Sequence, residues 1–142
     1  MTSVFTKNIA PHVQAEIEQA AQARANGDIN AEFQHLENAH VIGQESTYWH
    51  VNVHWQMLKW SMRNARRKEF FGQAFRVVGA TTKTAIGLVP QGNTGGANVS
   101  PFKVMPIKSE HQNIINKAKA GTTYEKATRK GAYVSPNRPA LE

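Results

Sequence analysis

The chain has 142 residues, 40% of them hydrophobic, a formal net charge of +7 and no cysteine. That length suits one domain with a modest core, and the lack of cysteine excludes disulfides, thiolate metal sites, iron–sulfur clusters and a cysteine nucleophile. Any metal would have to be held by nitrogen and oxygen. No apolar run approaches the ~18 residues that span a bilayer, and MTSVFTKNIAPHVQ lacks the layout of a secretory leader. A soluble, cytoplasmic protein without membrane insertion is the expectation.

Charge is unevenly divided. Up to Leu58, Lys7 and Arg24 face six acids (Glu16, Glu18, Asp28, Glu32, Glu37 and Glu45), a balance of −4; from Lys59 onward, fifteen cations face Glu69, Glu110, Glu125 and Glu142, a balance of +11. The acidic half carries most of the histidines, and the two halves can attract each other as well as a partner.

Ala10 to Ala25 is rich in Ala, Gln and Glu and predicts a first helix, which Gly27 can stop in a left-handed conformation. Asp28 stands where an N-cap belongs, and Ile29, Phe33, Leu36 and His40 then mark one face of a second helix that ends at Gly43. Ser46 caps a third helix over about residues 47–66, with His50, Val53, His54, Met57, Leu58 and Ser61 on one face. The short GQES turn makes the second and third helices antiparallel neighbours.

RRKEFFGQAFRVVGA predicts a fourth helix, with Phe71, Ala74, Phe75 and Val78 inward and Arg66, Arg67, Lys68 and Arg76 outward. After it, turn formers punctuate isolated apolar residues; Leu88, Val89, Val99, Phe102, Val104, Met105 and Ile107 suggest that this long connection packs onto the helices. A short helix over Ser109 to Ala120 precedes a basic tail, residues 121–142, expected to be mobile. The fold class is thus all-α: a compact antiparallel bundle of four to five helices, faintly repeat-like, over residues 1–120, with a packed Gly/Pro-containing loop.

The chemistry concentrates in the helical hairpin. Glu37 and His40 form a Glu-x-x-His pair at the (i, i+3) spacing used by carboxylate and histidine ligands in bundle cores. His50 and His54, at (i, i+4), lie one turn apart on one face, so both imidazoles can meet a single ion. Counting from the turn puts His40 level with His50, and Glu37 opposite His54 one turn deeper. Burying so many titratable groups requires either a metal or a closed hydrogen-bond network. Three imidazoles and a carboxylate suit zinc, copper, nickel or iron without choosing among them. His35 falls on the far side of its helix and reads as solvated; nothing in the sequence demands a role for His12 or His111. Trp49, Trp55 and Trp60 read as packing residues.

GNTGG lacks the Gly-Lys-Ser/Thr ending of a phosphate loop and reads as a tight turn in which Asn93 bonds nearby backbone. FQHLENAHVIGQ, HVNVHWQML, GNTGG with VS soon after, and MPI, in that order across about residues 10–115, resemble the motifs of a small bacterial family catalogued as domain of unknown function 3703. The resemblance carries no activity. It implies that the histidine hairpin and the glycine turn belong to one design, at Glu37, His40, His50 and His54 and at Asn93, Gly95 and Gly96. The segment after MPI reads KSEHQ where related sequences favour a proline and an acid, so His111 falls outside the shared pattern.

Three functions follow as expectations. The first is a small helical protein that binds a divalent transition metal through Glu37, His40, His50 and His54, in metal handling or sensing. The second is a metal-dependent hydrolase or non-haem oxygenase with the 90–107 loop as lid. The third is a basic module, using Arg63, Arg66, Arg67, Lys68 and Arg76 with Lys117, Lys119, Lys126, Arg129 and Lys130 toward the C-terminal end, that engages nucleic acid or an acidic protein partner; no motif for reading nucleic acid accompanies these cations, which makes nucleic acid the less expected of the two.

Overall fold

A computed structural model describes residues 3–85, 90–100 and 102–129, with side chains left aside at 78, 80–85 and 122–129. The described residues form five helices: α1 (Val4–Ala25), α2 (Ile29–Gly43), α3 (Thr47–Arg63), α4 (Arg67–Ala85) and α5 (Ser109–Arg129). Among the described residues there is no strand, and no helix is long and apolar enough to cross a membrane. Leu88, Val89 and residues 130–142, on which part of the loop and tail expectations rest, lie outside the described residues.

Side-chain caps start the first three helices. Ser3, Asp28 and Ser46 each accept a hydrogen bond from the amide three residues on, at Thr6, Ala31 and Trp49, which satisfies donors that the helix itself leaves orphaned. α1 begins six residues before the predicted start and runs through Pro11. Tertiary bonds hold that first stretch: Thr6 shares a hydrogen bond with the Ser46 hydroxyl at 2.9 Å, and the Trp49 indole donates to the Thr6 carbonyl at 3.1 Å. α3 stops at Arg63 rather than Arg66, because Ala65 takes a left-handed conformation (φ 52°) that turns the chain into α4. α5 continues past Ala120 to Arg129, and the Asn8 amide of α1 donates to its Ala118 carbonyl.

α1 packs against α2, α2 against α3 and α3 against α4, while α5 lies against α1 and α2. The core joins Ile9, Val13 and Ala20 of α1, Leu36, Ala39 and Ile42 of α2, and Trp49, Val53, Met57 and Trp60 of α3 to Ile115 and Ala118 of α5. The α2–α3 pair is antiparallel: the Trp60 indole donates to the Ile29 carbonyl, Arg63 pairs with Glu32, and Gly43 meets Trp49.

α4 is turned over relative to its predicted faces. Phe71 and Phe75 are 70% and 71% exposed, whereas Arg76, expected outside, is buried together with Glu69 and Gln73. Glu69, Gln73 and Arg76 recur at steps of four and three and form a polar stripe, and this stripe wins the inward position because it meets polar partners there, described below. Arg66, Arg67 and Lys68 are exposed as expected. The connection after α4 packs down through Gly92 to Gly96 and through Ile107, but Phe102 and Val104 face outward, contrary to the expected packing.

Candidate metal centre

α2 and α3 bring three of the expected residues together. One ring nitrogen from each of His40, His50 and His54 lies within 4.8 Å of the others, and all three residues are buried. The ring centroids are 4.7 Å apart for His40 and His50, 4.6 Å for His40 and His54, and 4.9 Å for His50 and His54. His40 therefore faces both α3 histidines rather than His50 alone.

Glu37 is not in this group. It stands one turn before His40, half-buried, where a Cβ added at Gly96 would lie 3.1 Å from its Oε1. Burial pushes its carboxyl above the usual carboxylate range; the Glu69 charge adds to this, while the Thr94 side chain and Lys108 act in the opposite sense. Of the other histidines, His35 pairs with Glu16 at 2.7 Å on the far side of α2, His12 is exposed, and His111 is buried near the start of α5. His111 lines a hollow of about 210 Å³ with Glu37, Thr94 and Lys108.

The hydrogen-bond network fixes the tautomers of two rings. His40 Nδ1 lies 2.7 Å from the Asn93 carbonyl, which can only accept, so Nδ1 carries the proton. His54 Nδ1 lies 2.6 Å from Gln73 Oε1. The Gln73 amide is oriented by its two other partners, because its nitrogen donates to Glu69 Oε1 at 2.6 Å and to the Gly95 carbonyl at 2.8 Å. Its oxygen is thus an acceptor, and His54 also carries its proton on Nδ1. Both Nε2 atoms present lone pairs, and they face each other at 3.1 Å.

Burial keeps these rings neutral. It lowers the His40 imidazole well below its ordinary 6.5, helped by the charges of His54, His50 and Arg76 and opposed by the Asn93 hydrogen bond. His54 is lowered to about 3, first by burial, then by His50 and Arg76, with the Gln73 hydrogen bond opposing. A neutral imidazole with its second nitrogen tied to a carbonyl or amide is the form that ligates a metal.

The supporting shell comes from α4 and the glycine turn, and the sequence reading missed most of it. Glu69 accepts from Gln73 and, through both carboxylate oxygens, from the Ala97 amide at 2.9 and 3.0 Å. Arg76 donates to the Val99 carbonyl. Asn93 braces the turn from within: its amide donates to the Ser100 and Lys103 carbonyls, and its Oδ1 accepts from the Gly95 amide. Gly95 has φ +83° and presses on the His40 ring, where a Cβ would come within 2.9 Å of Cδ2; both facts call for glycine.

Fold and site together define a small helical protein with a buried tri-histidine cluster roofed by a glycine turn. The chain belongs to the family described as protein of unknown function (DUF3703), whose model matches residues 7–115 and so takes in all three histidines, the α4 stripe and the turn. No curated protein and no solved structure matches it.

Proposed function

We propose that this chain binds one divalent transition-metal ion through His40, His50 and His54, and that it serves in metal handling or sensing. The observation that carries the reading is the pair of lone pairs on His40 Nε2 and His54 Nε2, 3.1 Å apart in a buried site. Two such nitrogens repel unless a cation lies between them. Two metal–nitrogen bonds of about 2.0–2.1 Å at an angle near 100° span about 3.1 Å. Nitrogen ligands of this kind suit zinc, copper, nickel or iron(II).

Three protein ligands leave one position of a tetrahedral ion open. Burial favours binding over turnover as the use of that ion: His40 and His54 are each 2% exposed, and the glycine turn lies against the rings. Glu37, one turn away, belongs to the surroundings of the site in this reading rather than to the three-nitrogen set.

Metal analysis and calorimetry on untagged protein test this. One ion per chain and a rise in melting temperature with zinc, nickel, copper or iron are expected. No stoichiometric ion, together with stability unchanged by all four, would overturn it.

A further inference from the structure

Residues 93–97 are fastened to α2 and α4 by hydrogen bonds to groups that also hold the histidines. The Asn93 carbonyl accepts from His40 Nδ1, the Gly95 carbonyl accepts from the Gln73 amide that orients His54, and the Ala97 amide donates to the Glu69 carboxylate that orients Gln73. The Asn93 side chain braces the segment, accepting from the Gly95 amide within it and donating to the Ser100 carbonyl just beyond it. It is a preformed strap, fastened at three points, and each fastening is part of the shell around the imidazoles.

We propose that the strap is a metal-coupled clasp: it seats fully when the ion is bound and loosens when the ion leaves, so that metal occupancy is converted into the order of residues 93–97. This rests on the metal-binding reading above. The bond from His40 to the strap's Asn93 carbonyl and the bond from His54 to the Gln73 amide that holds Gly95 both require donation from Nδ1, and that tautomer pair turns two Nε2 lone pairs on each other at 3.1 Å. With an ion between them, strap and rings are satisfied together. Without it, the rings relieve the repulsion by turning or by moving a proton to Nε2. Either change withdraws a donor from the Asn93 carbonyl or from Gln73 Oε1. Neither ring turns freely, since the strap's Gly95 lies against His40 and Gln73 is fully buried between Glu69, Gly95 and His54. Ion and strap thus bias the same two-state element, and by linkage each must strengthen the other by the same factor. The strap is also the covering that has to lift for an ion to reach rings that are 2% exposed.

Hydrogen exchange read by mass spectrometry on the full chain, chelator-treated and then titrated with zinc alone, tests the coupling. Protection of the Gly95 and Ala97 amides is expected to rise roughly tenfold or more on zinc binding, beyond any change in the α1 segment. Calorimetry on the same samples separates the two claims. Zinc bound at one per chain with strap exchange unchanged overturns the clasp and leaves the metal site standing; no zinc bound overturns both. Gly95→Ala, outside the ligand set and checked for helical content by circular dichroism, provides the reciprocal test. It prevents seating and is expected to weaken zinc binding by roughly tenfold or more, in keeping with the coupling expected of a linked pair. Unchanged zinc affinity in a folded Gly95→Ala chain overturns the clasp.

Discussion

His40 Nε2 and His54 Nε2 lie 3.1 Å apart, each on a ring whose other nitrogen is committed to a hydrogen bond, to the Asn93 carbonyl and to Gln73 Oε1. The proposed ligand role accounts for two lone pairs opposed in this way, which packing alone does not explain. His40→Ala, His50→Ala and His54→Ala are each expected to abolish the zinc-dependent rise in melting temperature. His35→Ala, which only breaks the pair with Glu16, should keep it. Thermal scans with and without zinc decide this, and retention of the full rise in His54→Ala would remove that residue from the site.

Gln73 is fully buried and makes three hydrogen bonds, to His54, Glu69 and Gly95. Gln73→Leu keeps much of the volume but strands the His54 N–H and the Gly95 carbonyl, while Glu69 Oε1 loses one donor and keeps the Ala97 amide. Each unsatisfied buried group costs about 1–3 kcal/mol, so a loss of roughly 3 kcal/mol is expected in denaturant titration. Zinc affinity should fall about 10- to 100-fold, the usual effect of losing an outer partner of a ligating histidine. A stable variant with unaltered affinity would show that the chain from Glu69 to His54 plays no part in holding the ring.

The hairpin was legible because its information is local: cap residues, a short turn, and histidines at steps of three and four fix which side chains share a face. α4 was not. FFGQAF carries an apolar stripe at helical spacing, and periodicity identifies faces without saying which one turns inward. Glu69, Gln73 and Arg76 go inside because their partners, His54, the Gly95 carbonyl, the Ala97 amide and the Val99 carbonyl, come from distant parts of the chain. The i, i+4, i+7 polar stripe was visible in the sequence, but its meaning depended on the position of the glycine turn. Ala65 hid the end of α3 for a related reason, since nothing about an alanine announces a left-handed conformation.

The inverted α4 makes a prediction opposite to the one its apolar pattern suggests. Phe71→Ser and Phe75→Ser remove large side chains that are 70% and 71% exposed, so each should change stability by less than about 0.5 kcal/mol. In a helix with these residues inside, each would cost about 3–5 kcal/mol, as core aromatic truncations do. Urea midpoints of the two variants distinguish the cases, and a cost of several kcal/mol for either would place that phenylalanine in the core.

Acid should unfold the metal-free protein. His40, His54 and His111 are all lowered below their ordinary 6.5, each first by burial and His54 to about 3. Below pH 6.5 the unfolded chain therefore takes up protons that the folded chain refuses, and stability must fall as pH falls, by up to about 1.4 kcal/mol per unit for each such group. The stabilisation is complete above about pH 6.5 and disappears toward pH 3. Glu37, whose carboxyl is raised, works in the other direction, one group against three. Bound zinc should deepen the acid sensitivity, since protons and metal compete for the same nitrogens. Chemical denaturation of the metal-free chain at pH 7.5 and pH 5 checks the slope; equal stability at the two values would contradict neutral buried imidazoles.

Gly43 fixes how closely α2 and α3 can approach beside the site. It ends α2 without a left-handed conformation, so its role is space: a Cβ there would lie 2.9 Å from Trp49 Cβ and 3.2 Å from Val13 Cγ2. Trp49 Cβ cannot yield by a rotamer change, because it is the first atom of a buried side chain whose indole is tied to the Thr6 carbonyl. Alanine is the better helix former by about 1 kcal/mol, but the overlap outweighs that gain and a net loss of about 1–3 kcal/mol is expected for Gly43→Ala. Widening the hairpin there also separates His40, three residues earlier, from His50, one residue past Trp49, so zinc affinity should fall alongside stability. A Gly43→Ala chain that melts higher and binds zinc as before would mean that the two helices are held apart by something other than this contact.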